Sequence, residues 1–396
     1  MSKSWLDGIE ESEIERLRRA QVLAEEWLLS SPQYFGSSVA SGGAFRSWYD
    51  TTTGRYIYAS AEVTGYGITM LVEMAQRQDR DCLLARACSA VEWLERQAFD
   101  PRQDCVWGRY DLSTAKPTPW SHTFDQAMVV NGLANFSRAT GDAGSLEMAE
   151  RLGRKLLSLQ DRNGGLPTYF PVSRPDNSGR WSARRGAFLV KVAQGLLNLH
   201  DMIGAAEFVD GAIRLCDWAL RWQNQQGMFG FEAGEGKRGS LFFHPHCYAI
   251  EGLMVAGLYL GHETYLAASQ RGLQAMLEHQ LPGGGFPWSL VDGRLNPNPR
   301  SDVVAQFVRL MSLTPSVELS HEAWIAANRA LTRLLSFQQT EGGSEVRGAF
   351  LFGSHEDGHL APHANTWCTM FAIQALRFYL CRVGGANPAT SPFLWV

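Results

Sequence analysis

The segment LLSLQDRNGGL, residues 156–166, closes a charged amphipathic stretch on a glutamine and runs at once into a glycine-rich loop. The same ending recurs: VEWLERQ stops at Gln97, WALRWQNQQGMFGF passes through Gln223, MLEHQLPGGGFPW through Gln280 and LLSFQQTEGG through Gln338. With Gln160 of the opening segment, these five glutamines are almost evenly spaced, and AEEWLLSS around Trp27 is a sixth copy, about one period before Trp93. A fixed period longer than one helix marks a repeated supersecondary unit. Each unit here has room for two helices.

The Gln-ended helices, such as GSLEMAERLGRKLLSLQ and TYLAASQRGLQAMLEHQ, carry charge on one face. Between them lies a second set, beginning near residues 61, 123, 185, 246, 302 and 365, exemplified by TFDQAMVVNGLANFSRAT and HCYAIEGLMVAGLYLG. These are apolar nearly all round and rich in Gly and Ala, as in helices buried on most sides and closely packed. Six outer and six inner helices in strict alternation predict an all-α chain folded as a closed ring of helical hairpins, an (α/α)6 barrel. A linear solenoid is the rival, but its concave helices keep a solvated face, which the inner set lacks. Length alone suggests two or three domains. The repeat instead predicts one domain over residues 1–396, with 385–396 as a C-terminal tail.

With 45% hydrophobic residues, the 396-residue chain has ample material for a core. A formal charge of -4 without a dense Lys/Arg block leaves no electrostatic footprint for nucleic acid. The acidic start MSKSWLDGIEESEIERL is unlike a secretion signal, and no apolar run is long enough to span a membrane. A cytoplasmic location is expected. The seven cysteines form no CxxC pair, so neither a disulfide framework nor a zinc ribbon is indicated. Neither a metal nor another cofactor is expected, and the sequence leaves the oligomeric state open.

Because every long loop leads from an outer helix into an inner one, all inner helices begin on one face of the ring, and their first turns converge. Those turns hold Glu62, Asp125, Arg184 and Arg185, His244 and His246 with Glu251, Arg300 and Asp302, and His363 with Asn365. Glu62 and Asp125 are separated by one period of the repeat, and so occupy equivalent places on neighbouring inner helices. Two carboxylates at a pocket rim are what glycoside chemistry requires, one to protonate a leaving oxygen and one to activate water or attack the sugar. The competing explanation is local: Ser60, Ser121 and Ser301 precede Glu62, Asp125 and Asp302, and acids in a first helical turn are favoured by capping and the macrodipole alone. Recurrence in phase, in helices otherwise nearly free of charge, favours a site.

Asp125, Glu62 and His246 are therefore the catalytic candidates. Trp48, Tyr49, Tyr66, His122, His244, Trp288, His363 and Asn365, together with Asp302, are candidates for stacking on or hydrogen bonding to a sugar. Arg184, Arg185 and Arg300 either pair with an anionic group of the ligand or neutralise the local acids. Glu251, more than a turn into its helix, is either paired with an inner arginine or functional. His244, His246 and Cys247 are metal-ligand types, but no matching Cys–His set accompanies them.

The outer-helix pattern and FDQAMVVNGLANFSRATGD, residues 124–142, resemble the six-hairpin glycosidase superfamily, particularly the unsaturated uronyl hydrolases. That resemblance implies a general acid/base at Asp125. SAEVTGYGI, HPHCYAIEGL, RSDVVAQ and NTWCTMFAIQAL together resemble bacterial proteins associated with polysaccharide biosynthesis loci, over nearly the whole chain. N-acylglucosamine 2-epimerases share the barrel and an inner-helix His-x-x-x-Glu-like element that HCYAIE echoes.

The expected function is thus a carbohydrate-active enzyme, first a glycoside hydrolase acting on an oligosaccharide or uronate-containing glycan. The alternatives are a sugar epimerase or polysaccharide lyase, and a non-catalytic glycan-binding protein of a polysaccharide pathway. A terpene cyclase or prenyltransferase shares the barrel, but the chain has no DDxxD or DxDD cluster to ionise a diphosphate or protonate an alkene.

Overall fold

The computed structural model describes residues 10–30, 42–112, 114, 116–170, 180–232, 240–314, 320–386, 388 and 391–396. Twelve α-helices alternate through them: α1 (Glu11–Ser30), α2 (Ala61–Ala75), α3 (Arg80–Trp93), α4 (Thr123–Thr140), α5 (Ala143–Leu159), α6 (Val192–Ile203), α7 (Ala206–Leu220), α8 (Phe243–Leu260), α9 (Glu263–Glu278), α10 (Ser301–Leu313), α11 (His321–Leu335) and α12 (Thr366–Val383). The even-numbered helices form the inner ring and the odd-numbered ones the outer, and α12 packs against both α1 and α2 to close the circle. The fold is the (α/α)6 barrel. Short antiparallel strands lie in the loops, all at the mouth where the inner helices begin.

The recurring glutamine has a physical role. Gln223 Nε2 donates to Gly227 O at 3.0 Å in its own loop and to Ala268 O at 2.8 Å on the next outer helix. Gln160 does the same with Gly164 O and Gly211 O, and Gln280 with Gly284 O and Ala326 O. Gln338 closes the series by donating to Ala20 O of α1 at 2.8 Å, joining the last outer helix to the first. Each of these glutamines therefore ties one outer helix to the next. The loop glycine must be glycine: Gly227 and Gly284 have φ of +84° and +81°, and a Cβ there would meet Arg271 O at 2.4 Å or Arg329 O at 2.2 Å. Gln97 is the exception. It is exposed, its helix ends in a π-helical turn at 94–98, and Asp104 takes the left-handed position, holding Arg151 Nε at 2.9 Å.

Closure has two further components. Trp27 Nε1 donates to Glu345 O, and Glu73 of α2, Arg377 of α12, Arg77 and Glu25 of α1 form a buried ion cluster across the seam. The inner helices approach closely through small residues; a Cβ on Gly132 of α4 would sit 2.6 Å from Gly65 O of α2. Residues 391–396, expected as a trailing tail, instead enter the barrel at the end opposite the mouth. Inner-helix side chains bond their carbonyls: Gln194 to Pro392 O and Trp395 O, Asn131 and Asn135 to Phe393 O, Gln374 to Leu394 O, and Arg309 to Val396 O.

Replacing Gln338 with Ala leaves two carbonyls without their donor and is expected to cost about 1–3 kcal/mol of stability. Gly284→Ala, strained and overlapped, is expected to cost about 1 kcal/mol or more. Gln97→Ala should stay within about 0.5 kcal/mol of the parent. Urea unfolding midpoints at constant m-value test this ordering.

Candidate active site

At the mouth, the first N–H of an inner helix donates to the loop entering the next: Ala61 to Gly108 O, Thr123 to Thr168 O, Ala187 to Gly230 O, Phe243 to Trp288 O and Thr366 to Ser47 O. At Ser301 the hydroxyl does this instead, bonding Leu351 O at 2.6 Å. This stitching draws the helix starts and their loops around one cavity. The cavity encloses about 770 Å³ of empty space, open mouth included. Glu62, His122, Asp125, His244 and Arg300 line it, as do Tyr58, Arg109, Trp181, Tyr248 and Trp367.

Glu62 and Asp125 sit in the first turns of α2 and α4, which pack directly on each other. Burial raises the pKa of Glu62, and the nearby charge of Asp125 raises it further, against Arg109 and Lys191. Burial also raises Asp125, opposed by Arg109 and by the backbone groups of His122 and of Asp125 itself. That His122 contact is half of a capping box, with the third helical residue reaching back to the cap. Serine capping occurs only in part: Ser60 Oγ accepts from Val63 N, whereas Ser121 and Ser301 spend their hydroxyls on His122 O and Leu351 O.

His244 is buried against Trp181 and Tyr248, and burial pushes its pKa down to about 3. Its Nδ1 lies 3.0 Å from Gln306 Oε1 and 3.4 Å from Asp302 Oδ2, both acceptors, so Nδ1 carries the proton and Nε2 is left unprotonated. Asp302 is fully buried. Burial alone would raise its pKa, but Arg300 Nε at 3.0 Å and Nη2 at 2.5 Å, with His244 and Trp367 Nε1, hold it below the ordinary value. Arg300 is itself clamped between the Trp288 and Phe352 rings, each centred 4.6 Å away.

Other sequence-expected residues lie outside the cavity lining. His246 faces away, accepting from Phe229 N at its Nδ1 and bonding Gly272 O through Nε2, with its pKa lowered by burial to about 4. Both nitrogens are spent on backbone, as suits a histidine joining α8 to α9. Glu251 pairs with Lys191 at 2.7 Å and Arg309 at 2.6 Å in the barrel interior. Arg184 and Arg185 precede the inner-helix start, because residues 187–191 form a 3-10 segment before α6. Arg185 bonds Asp161 and Glu232 in its own loops, and Arg184 lies over Phe231. Tyr66 lies buried, its hydroxyl 3.4 Å from that of Tyr248. Trp48 and His363 stack on each other at 4.5 Å, Tyr49 packs on Tyr56, and Asn365 caps α12 through Cys368 N.

Sequence reasoning missed the aromatic lining residues Tyr58, Trp181, Tyr248 and Trp367, and it missed the charged one, Arg109. It lies on a short strand whose register pairs Arg109 with Ser60, which carries it from a loop to the acid pair. Its guanidinium lies over Tyr58, and among the described residues it makes no ion pair within 4 Å. The periodicity argument covered only helix starts. No described group of three or more His, Cys, Asp or Glu is arranged to hold a metal.

The barrel with its convergent mouth is a fold that this chain shares with solved structures of other proteins. Solved structures with this fold include a sugar epimerase from a ruminal bacterium (TM-score 0.78, 12% identity, covering 92% of this chain and 98% of that one). A cellobiose 2-epimerase from Bacillus thermoamylovorans gives a TM-score of 0.76 at 12% identity over 93% and 99% of the two chains. An unsaturated glucuronyl hydrolase from Bacillus sp. GL1 gives 0.68 at 15% identity over 94% and 98%. No family model and no curated protein sequence matches the chain. At these identities the likeness establishes the fold. No helix among the described residues is long and apolar enough to cross a membrane.

The raised acids carry a stability consequence. A carboxyl whose folded pKa exceeds its unfolded value binds more protons in the native state, so stability falls as pH rises above about 4 through the raised titration. Glu62→Gln removes that dependence. Between about pH 5 and about pH 9 its melting temperature is expected to decline less than the parent's, measured by calorimetry.

Proposed function

We propose that the protein is a carbohydrate-active enzyme, and within that class a glycoside hydrolase acting on an oligosaccharide or uronate-containing glycan. One observation supports this most: two carboxyl groups on adjacent inner helices face one cavity, and both are pushed toward holding a proton. Two such groups do not ionise together, so near neutrality the pair is expected to share one proton. Glu62 takes the role of general acid. Asp125, which has backbone hydrogen bonds and Arg109 to stabilise its charge, is the carboxylate that activates water or attacks the sugar. This reverses the role that the uronyl-hydrolase resemblance implies for Asp125, because the backbone hydrogen bonds that favour the ionised form are made to Asp125 and not to Glu62.

The cavity walls suit a sugar. Tyr58, Trp181 and Trp367 offer aromatic faces, His244 Nε2 is an acceptor for a hydroxyl, and Arg109 is a cation for a ligand carboxylate. A second reading is a sugar epimerase, in which the ionised carboxylate of the pair takes a carbon-bound proton and the protonated one returns a proton, with His244 as a hydroxyl acceptor in the same cavity. A hydrolase releases reducing sugar from a glycan panel. An epimerase does not, and instead incorporates solvent deuterium at the inverted carbon.

Glu62→Gln and Asp125→Asn are each expected to lower kcat by about 10²–10⁴-fold while ligand binding by calorimetry changes little. The kcat/KM profile is expected to be bell-shaped, with both limbs displaced to the alkaline side of free carboxylates. Activity falls as pH rises through the titration of Glu62, which loses its proton, and falls again as pH drops and Asp125 gains one. If the wild type binds a glycan without turning it over, the protein is a binding module.

A further inference from the structure

Beneath the acid pair, Lys191 is completely buried. Its Nζ lies 2.7 Å from Glu251 Oε1, and 5.8 Å and 5.7 Å from the ring centres of Tyr66 and Tyr248. Tyr248 lines the cavity and its hydroxyl meets that of Tyr66, four residues after Glu62 on α2, so the ammonium lies against one ring that lines the cavity and one behind it. Glu251 is held from its other side by Arg309 Nη2 at 2.6 Å. Arg309 bonds Gln374 Oε1 at 3.1 Å and the carbonyl of Val396. A string of side chains thus runs from the segment closing the far end of the barrel to the underside of the candidate site.

A buried ammonium is costly unless its charge has a use or a full set of partners. For stability alone, an apolar residue pairing Glu251 with Arg309 only would serve as well. The groups facing Lys191 are Glu62 and Tyr66 from α2, Glu251, Tyr248 and His244 from α8, and Arg309 from α10. Those facing Glu62 are Asp125 from α4, Arg109 and Tyr58 from the mouth strands, Tyr66, Tyr248 and Lys191. Among these, Arg109 and Lys191 are the cations that favour the ionised form of Glu62, one from the mouth and one from below.

We propose that Lys191 is a positioning residue of the acid pair: held by Glu251, with Arg309 and residues 391–396 behind it, it supplies a fixed positive charge under the cavity that limits how firmly Glu62 keeps its proton. The proposal rests on the reading that Glu62 and Asp125 are the working pair.

The test uses the full chain and needs no substrate. With ¹³C-labelled carboxyl groups and ¹⁵N-labelled lysine, NMR titration of the wild type is expected to show the Lys191 Nζ resonance moving in step with Glu62, and Glu62→Gln is expected to abolish that inflection. In Lys191→Met the Glu62 midpoint should rise by about one pH unit, a tenfold tighter hold on the proton, and in Lys191→Arg it should return toward the parent value. A Lys191 signal indifferent to the Glu62 titration, or a Glu62 midpoint unmoved in a folded Lys191→Met, overturns the proposal. Should Lys191→Met not fold, the wild-type titration against Glu62→Gln decides alone. Failure to turn over any glycan would sink the hydrolase reading and leave this coupling standing or falling on its own measurement.

Discussion

Ring closure is the constraint on which everything else in this molecule depends. A single helical hairpin cannot bury its apolar inner helix alone, and an open array leaves the terminal units half exposed. Here the last unit reaches the first by several routes, among them Gln338 to the α1 backbone, Trp27 to Glu345 O, the Glu73–Arg377 pair across the α2/α12 seam, and Thr366 N to Ser47 O at the mouth. The Gln–Gly device is specific because it spends one amide on two carbonyls, one in its own loop and one on a neighbour. That fixes both the end of an outer helix and its distance from the next.

The closed ring creates a buried interior, and burial sorts the charges within it. Asp302 has Arg300, Trp367 and His244, Glu251 has Lys191 and Arg309, and Glu73 has Arg77 and Arg377. Each of these anions is met by at least one close cation, as a buried charge requires. Glu62 and Asp125 differ, facing each other's charge across a cavity with Arg109 and Lys191 as their cations. Such an arrangement is expected to cost stability at alkaline pH, and perturbed acids in a cleft mark a candidate site.

Structures sharing this ring include epimerases and a glucuronyl hydrolase, so the scaffold alone does not choose a reaction. The choice lies in which side chains occupy the inner-helix starts and in what the mouth loops add. In this chain the mouth loops add Arg109 and Trp181 and the start of α12 adds Trp367, around a carboxyl pair and a neutral histidine.

The twelve-helix ring was legible in the sequence because it is written in periodicity: a glutamine recurring once per hairpin at the end of an outer helix, and inner helices apolar on nearly all faces. The same phase argument placed Glu62, Asp125 and His244 at the mouth, since position along a repeat maps directly to position around a ring. It failed where contacts are set by orientation within a turn or by another loop. His246 follows His244 by two positions, rather more than half a helical turn, and that rotation sends it to the α8–α9 interface. Arg184 and Arg185 fell outside the site because a 3-10 segment delays their helix. Arg109 entered it through a strand register, and residues 391–396 became a plug because amide and guanidinium donors of the inner helices meet its carbonyls at the far end of the ring. Hydrophobic period belongs to the chain, whereas burial, pairing and proton affinity belong to the distances between segments, and only the closed tertiary structure sets those.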